Sequence, residues 1–148
     1  MPSRLRKRRA LRTMFLLTLL GGAASAHAQH MNAADAPCRD VAQTRALVTC
    51  LAAAREQADR QLASTYRQIT DAVTSQTRME LGRTERAWTA YRDTFCDTEY
   101  HSFASDSGGP PARLACLEAL TRHHIADLQT AFHWRVEKFG RTALSNTP

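Results

Sequence analysis

Histidines and cysteines are the side chains of this 148-residue sequence best suited to chemistry. His101, His123, His124 and His133 gather toward the carboxyl half, and Asp127 stands four residues after His123. A His–Asp pair at that spacing can share one helix face and hold a metal ion. His123 and His124 would point about 100° apart on a helix, so at most one of them joins Asp127. The chain lacks His-Glu-x-x-His, a Gly-x-Ser-x-Gly elbow and inward pairs of Glu-x-x-His helices. Surface histidines explain the cluster better than a metal centre does, and no cofactor is expected. Cys38, Cys50, Cys96 and Cys116 are four in number and none belongs to a Cys-x-x-Cys pair. In an oxidising compartment they read as two disulfides, with three connectivities open.

The amino terminus predicts that compartment. Arg4, Arg6, Lys7, Arg8, Arg9 and Arg12 precede an apolar run from Met14 to Leu20, which Gly21 and Gly22 break. Ala24-Ser25-Ala26 and Ala26-His27-Ala28 both fit a small-x-small cleavage site, and the second gives a mature chain starting at Gln29. Residues 1–28 are thus expected to be a cleavable signal peptide. Its apolar run is shorter than the roughly 20 residues a spanning helix needs, so no membrane insertion is expected after cleavage. Six of the 20 Lys+Arg residues fall in this segment, leaving 14 against 14 Asp+Glu. With that balance the electrostatic footprint of a nucleic-acid binder is gone.

These residues need helices to position them. Residues 29–37 are polar, alanine-rich and end in proline, and are expected to be a disordered leader. Thr44 is a candidate N-cap for a first helix carrying Leu47, Leu51, Ala58, Leu62, Ile69 and Val73. Were Cys38 and Cys50 on one straight helix, they would stand roughly 18 Å apart, whereas a disulfide needs Cα atoms within about 7 Å. A 38–50 bridge therefore requires Cys38–Gln43 to fold back along the helix. Thr74 to Thr77 is a polar connection. A second helix through Leu81, Trp88, Tyr91 and Phe95 reaches about Phe103. The acidic and Gly-Pro-rich stretch Ser105–Pro111 is a loop, with proline in the first turn of a third helix. Leu114, Leu117, Leu120, Ile125 and Leu128 give that helix its stripe, and Gly140 is the expected stop. No stretch alternates with a strand's period of two. The expected fold is an all-α antiparallel three-helix bundle, bent or broken in its first helix, over residues 38–140, with 141–148 as a tail.

The stretch Glu85–Cys116 concentrates the informative residues. Trp88, Tyr91 and Phe95 fall at i, i+3 and i+7, making one face of the second helix aromatic. Trp88, Tyr91 and Arg92 could stack on sugar rings of peptidoglycan, but aromatic residues at helical spacing are core residues first, and are so assigned. Turning the chain at residue 75 or 76 brings Leu62 level with Trp88, Ile69 with Leu81 or Gly82, and Asp59 with Arg92. An Asp59–Arg92 ion pair at the seam is expected, oriented by the guanidinium fork.

Four passages together resemble a known family. They are Cys38-Arg39-Asp40-Val41-Ala42-Gln43-Thr44 with Cys50, Ala58-Asp59-Arg60-Gln61-Leu62-Ala63-Ser64-Thr65-Tyr66, Ala87-Trp88-Thr89-Ala90-Tyr91-Arg92-Asp93-Thr94-Phe95-Cys96, and Gly108-Gly109-Pro110 with Cys116-Leu117-Glu118. This combination, over about Cys38 to Leu128, resembles the LprI-like lysozyme inhibitors, small secreted or periplasmic helical domains. Leu62-Ala63 replaces the family's usual Leu-Asn, and Gly108-Gly109-Pro110 its Gly-Gly-Ser. The resemblance implies bridges 38–50 and 96–116 in preference to a pairing of Cys50 with Cys116. It also implies a binding protein, not an enzyme, whose partner is lysozyme or a related muramidase. Between Asp93 and Pro110 the chain has four carboxylates and no Lys or Arg, which could steer a basic partner. Asp97, Glu99, Asp106, Ser107, Gly108 and Gly109 are the candidate contacts on that reading. The competing function is an envelope adaptor that binds another envelope protein.

Overall fold

The computed structural model describes residues 30–144; the expected signal peptide lies outside the described residues. Three long helices carry the fold: α1 Thr44–Ala72, α2 Ser75–Ser102 and α3 Gly109–Leu144. Short 3-10 turns occupy His30–Asn32 and Ala104–Asp106, and no strand occurs among the described residues. Both α1 and α2 pack on α3, which is the central rod of the bundle. Small side chains permit this close approach: Ala112, Ala115 and Ala119 of α3 are buried, as are Ala58 and Ala72 of α1.

Two apolar clusters hold the ends. Ile69 of α1, Leu81 of α2 and Leu128 of α3 meet near the α1–α2 turn, with Leu62, Tyr66, Val73, Phe132 and Val136 packed around them. At the other end Cys96, Cys116 and Leu117 form a second cluster, joined by Leu120. Disulfides Cys38–Cys50 and Cys96–Cys116 have Cα separations of 6.1 and 5.5 Å. The break in the first element falls at Cys38–Gln43, ahead of a continuous α1. Cys38 takes a positive φ of 66°, which turns the chain back so that its sulfur reaches Cys50.

Helix boundaries differ from expectation where local chemistry competes. Gln43, not Thr44, is the N-cap of α1, and its side chain makes no capping bond. The α1–α2 connection is only Val73 and Thr74, because Thr74 caps α2 by accepting from the Thr77 amide at 3.2 Å. Ser75, Gln76 and Thr77 are therefore helical. Arg78 secures the turn by donating Nε and Nη2 to the Thr70 carbonyl at 3.0 and 2.7 Å, an α1 C-terminal oxygen that the helix leaves free. Gly140 does not stop α3, which continues to Leu144; no described glycine has the positive φ such a stop uses. Pro110 and Pro111 sit in the first turn of α3, where a missing amide proton costs nothing.

The expected disordered leader is ordered from His30 onward. It lies against α3, with Ala36 only 8% exposed. Arg122 of α3 donates Nη1 to Asp35 Oδ2 at 2.7 Å, and the Arg122 hydrogen bond holds the Asp35 carboxyl below its ordinary pKa. Arg39 Nη1 donates back to the Ala34 carbonyl at 2.9 Å. Polar composition alone predicted disorder here; pairing with α3 supplies the missing order.

Candidate functional site

The inward face of α2 carries a charged group where a hydrophobic one would be ordinary. Arg92 is only 8% exposed. Its Nη1 donates to Asp59 Oδ1 of α1 at 3.3 Å and to Thr121 Oγ1 of α3 at 3.1 Å. Its Nε and Nη2 both lie 2.9 Å from Asp93 Oδ1. Arg55, one turn before Asp59, places Nε 2.8 Å from the other Asp59 oxygen. One guanidinium thus ties all three helices together. A planar fork with five donors can serve several acceptors at once, which an ammonium on a flexible stem cannot.

Trp88 completes this brace. Its ring stacks on His124 of α3 with centroids 3.9 Å apart and planes 12° from parallel. Arg92 Cζ lies 5.1 Å from the Trp88 centroid, a cation–π distance. Glu85 Oε1 holds the far side of His124 at 2.7 Å from Nε2. Trp88, half-buried, thus packs inward against α3. Tyr91 and Phe95, assigned to the core with it, do not: they are 56% and 44% exposed. The inward line of α2 runs through Leu81, Arg92 and Cys96, so the aromatic stripe is rotated off it and only Trp88 reaches inside. Leu62, expected opposite Trp88, packs with the Ile69–Leu81–Leu128 cluster.

The acidic segment is largely engaged within the molecule. Asp93 holds Arg92, and Asp97 Oδ1 accepts from Arg113 Nε at 2.6 Å. Glu99 holds the leader: its Oε1 accepts the His30 amide at 3.2 Å, and its Oε2 lies 2.6 Å from His30 Nδ1. The hydrogen bond to Glu99 raises the His30 pKa, against the opposing effect of burial, and Glu118 adds a second negative charge nearby. Sequence reading missed His30 because only the folded leader brings it to Glu99.

At the loop, Asp106 ends the second 3-10 turn and Ser107 is exposed with φ 61°. Gly109 is buried, and a Cβ there would stand 3.0 Å from the Tyr100 carbonyl oxygen and 3.1 Å from its ring. Gly108 would similarly meet Phe103 Cβ at 3.3 Å. These glycines serve close packing of the loop on the end of α2.

The carboxyl-half histidines do not converge. His124 belongs to the Trp88 stack, His133 pairs with Glu137 at 3.5 Å, and His123 and His101 are exposed. Three ligand-type residues do meet at His30, Glu99 and Cys116, but the Cys116 sulfur is bonded to Cys96. That grouping is a packed corner around a disulfide.

The described residues thus form a rigid scaffold with an internal charged brace and a partly compensated acidic end. Neither the curated proteins nor the solved structures provide a match to this sequence. A family model described as "Lysozyme inhibitor LprI" matches residues 37–128, a span that contains both disulfides, Asp59, the Trp88–Arg92 brace and the loop at Gly108–Gly109. The chain belongs to the LprI lysozyme inhibitor family.

Proposed function

We propose that this protein binds lysozyme-type muramidases and inhibits them, in the periplasm or outside the cell. The observation that carries the reading is the family match over residues 37–128. Two disulfides support an oxidising location, and among the described residues no helix is long and apolar enough to cross a membrane.

A muramidase cleft carries a pair of carboxyl groups, and an inhibitor acts by covering that cleft with a surface that does not yield. The scaffold suits this work, because each end of α2 is fixed: by the Ile69–Leu81–Leu128 cluster at one end and by Cys96–Cys116 at the other. Rigid presentation lowers the ordering cost of association. Of the contacts expected from sequence, Asp97 and Ser107 are exposed and form the outer rim of the reading. Asp106 lies between them along the chain; Glu99, Gly108 and Gly109 shape the surface from beneath.

The test is clearance of a cell-wall suspension by a c-type lysozyme with and without the purified, disulfide-bonded protein. Slowed clearance at near-stoichiometric protein is expected. Unchanged clearance with micromolar protein in excess would end the reading for that enzyme.

A further inference from the structure

We infer that the contact surface for the muramidase is the outward groove of α2 around Tyr91 and Phe95, rather than the Gly108–Gly109 loop. This rests on the inhibitor reading above and assigns its binding residues. The groove is a shallow, open depression on one face of α2, lined by Ala90, Tyr91, Thr94, Phe95 and Thr98. Tyr91 and Phe95 are 56% and 44% exposed, with ring centroids 5.8 Å apart.

The threonines make this surface more apolar than its composition suggests. Thr94 Oγ1 donates to the Ala90 carbonyl at 2.8 Å, and Thr98 Oγ1 donates to the Thr94 carbonyl at 3.1 Å. With both hydroxyls bonded to their own helix, covering the groove strips water mainly from methyls and rings, which favours association. Large aromatic anchors beside an apolar floor are the usual energetic centre of a protein interface.

Charge selects the partner. From Ala87 to Ser102 the only Lys or Arg is Arg92, which is buried; Asp93 and Asp97, 45% and 52% exposed, pair with Arg92 and Arg113, and together with Glu99 these three carboxylates still outnumber the two guanidiniums. The other arginines of α2 are confined to its first half, at Arg78, Arg83 and Arg86, and His101 stands in its last turn. A cationic enzyme is therefore accepted along the second half of α2 and disfavoured along the first.

The anchors are also held in place by their neighbours. Tyr91 adjoins Arg92 of the three-helix brace, and Phe95 adjoins Cys96 of the buried disulfide. His30 of the leader meets the Phe95 ring edge-on, with centroids 6.2 Å apart and planes at 83°. The backbone beneath the groove is therefore fixed before a partner arrives.

The experiment measures inhibition of the same c-type lysozyme by three variants and the parent. Tyr91→Ala/Phe95→Ala removes the anchors; Thr94→Arg leaves them but places a like charge in the groove; Trp134→Ala/Phe139→Ala truncates the exposed aromatic pair at the far end of α3. We expect the first two to weaken inhibition about tenfold or more, the third to leave it within twofold, and all three to melt like the parent. Should the parent inhibit while Tyr91→Ala/Phe95→Ala and Thr94→Arg inhibit equally well, the groove is wrong and the inhibitor reading stands. Should the parent fail to inhibit, both fall together.

Discussion

Replacing Arg92 with methionine keeps the length and apolar stem of the side chain and removes the guanidinium from the brace. Taking one partner from a buried ion pair costs about 3–5 kcal/mol. The cost here is smaller, because Asp93 is 45% exposed and rehydrates, and Asp59, 33% exposed, keeps Arg55. Thr121 has no such relief: it is 0% exposed and loses a donor at 3.1 Å, worth about 1–3 kcal/mol. Loss of the cation over Trp88 adds about 0.5–2 kcal/mol. Together these give an expected destabilisation of about 2–4 kcal/mol. At roughly 4 °C per kcal/mol for a chain of this size, the melting temperature should fall by about 8–16 °C, read by far-UV circular dichroism on the oxidised protein. Arg92→Lys preserves the charge but cannot reach Asp59, Asp93 and Thr121 together, and should recover less than half of the loss. If Arg92→Met melts within about 1 kcal/mol of the parent, or Arg92→Lys melts like the parent, the three-helix brace is not what stabilises the fold.

The other expectations concern the bridges and the leader. The two disulfides close segments of 12 and 20 residues, so loop entropy alone gives each about 3 kcal/mol. Cys96 and Cys116 are also 0% exposed beside Leu117, so the double Cys→Ser change there should lower the melting temperature more than the same change at Cys38 and Cys50; the reverse order would refute burial as the deciding factor. For His30, a raised pKa in the folded protein means its contribution is complete below the ordinary value of about 6.5 and is lost as pH rises through the folded value. The facing groups are Glu99 of α2 and Glu118 of α3. Part of the stability at pH 6 relative to pH 8 should therefore vanish in His30→Ala, measured as the difference between the two melting curves at each pH. An unchanged pH dependence in that variant would show that the His30–Glu99 contact does not anchor the leader.

Much of the scaffold could be read from residue spacing. The three helices follow from apolar residues at helical period with polar interruptions at Thr74 and Ser105–Gly108. Level pairing across the first turn brought Asp59 to Arg92, and the structure holds those groups 3.3 Å apart. What could not be read depends on contacts distant in sequence. Nothing local shows that α3 is central, that His124 is the partner of Trp88, or that an alanine-rich leader finds Arg122 and Glu99. The aromatic stripe misled for a definite reason. Hydropathy centres the buried face on Trp88, Tyr91 and Phe95 and leaves Arg92 at its edge, on the seam with Asp59. Once three acceptors satisfy the guanidinium, Arg92 occupies the inside, and Tyr91 and Phe95 turn outward.

Because α3 is the helix on which both others pack, a version of the protein lacking it would leave α1 and α2 joined as a hairpin with few partners for their inward faces. Ile69 and Leu81 would keep each other but lose Leu128, Phe132 and Val136, and Arg92 would lose Thr121. The third helix is thus a shared wall, and damage to its inward face is felt by both neighbours at once.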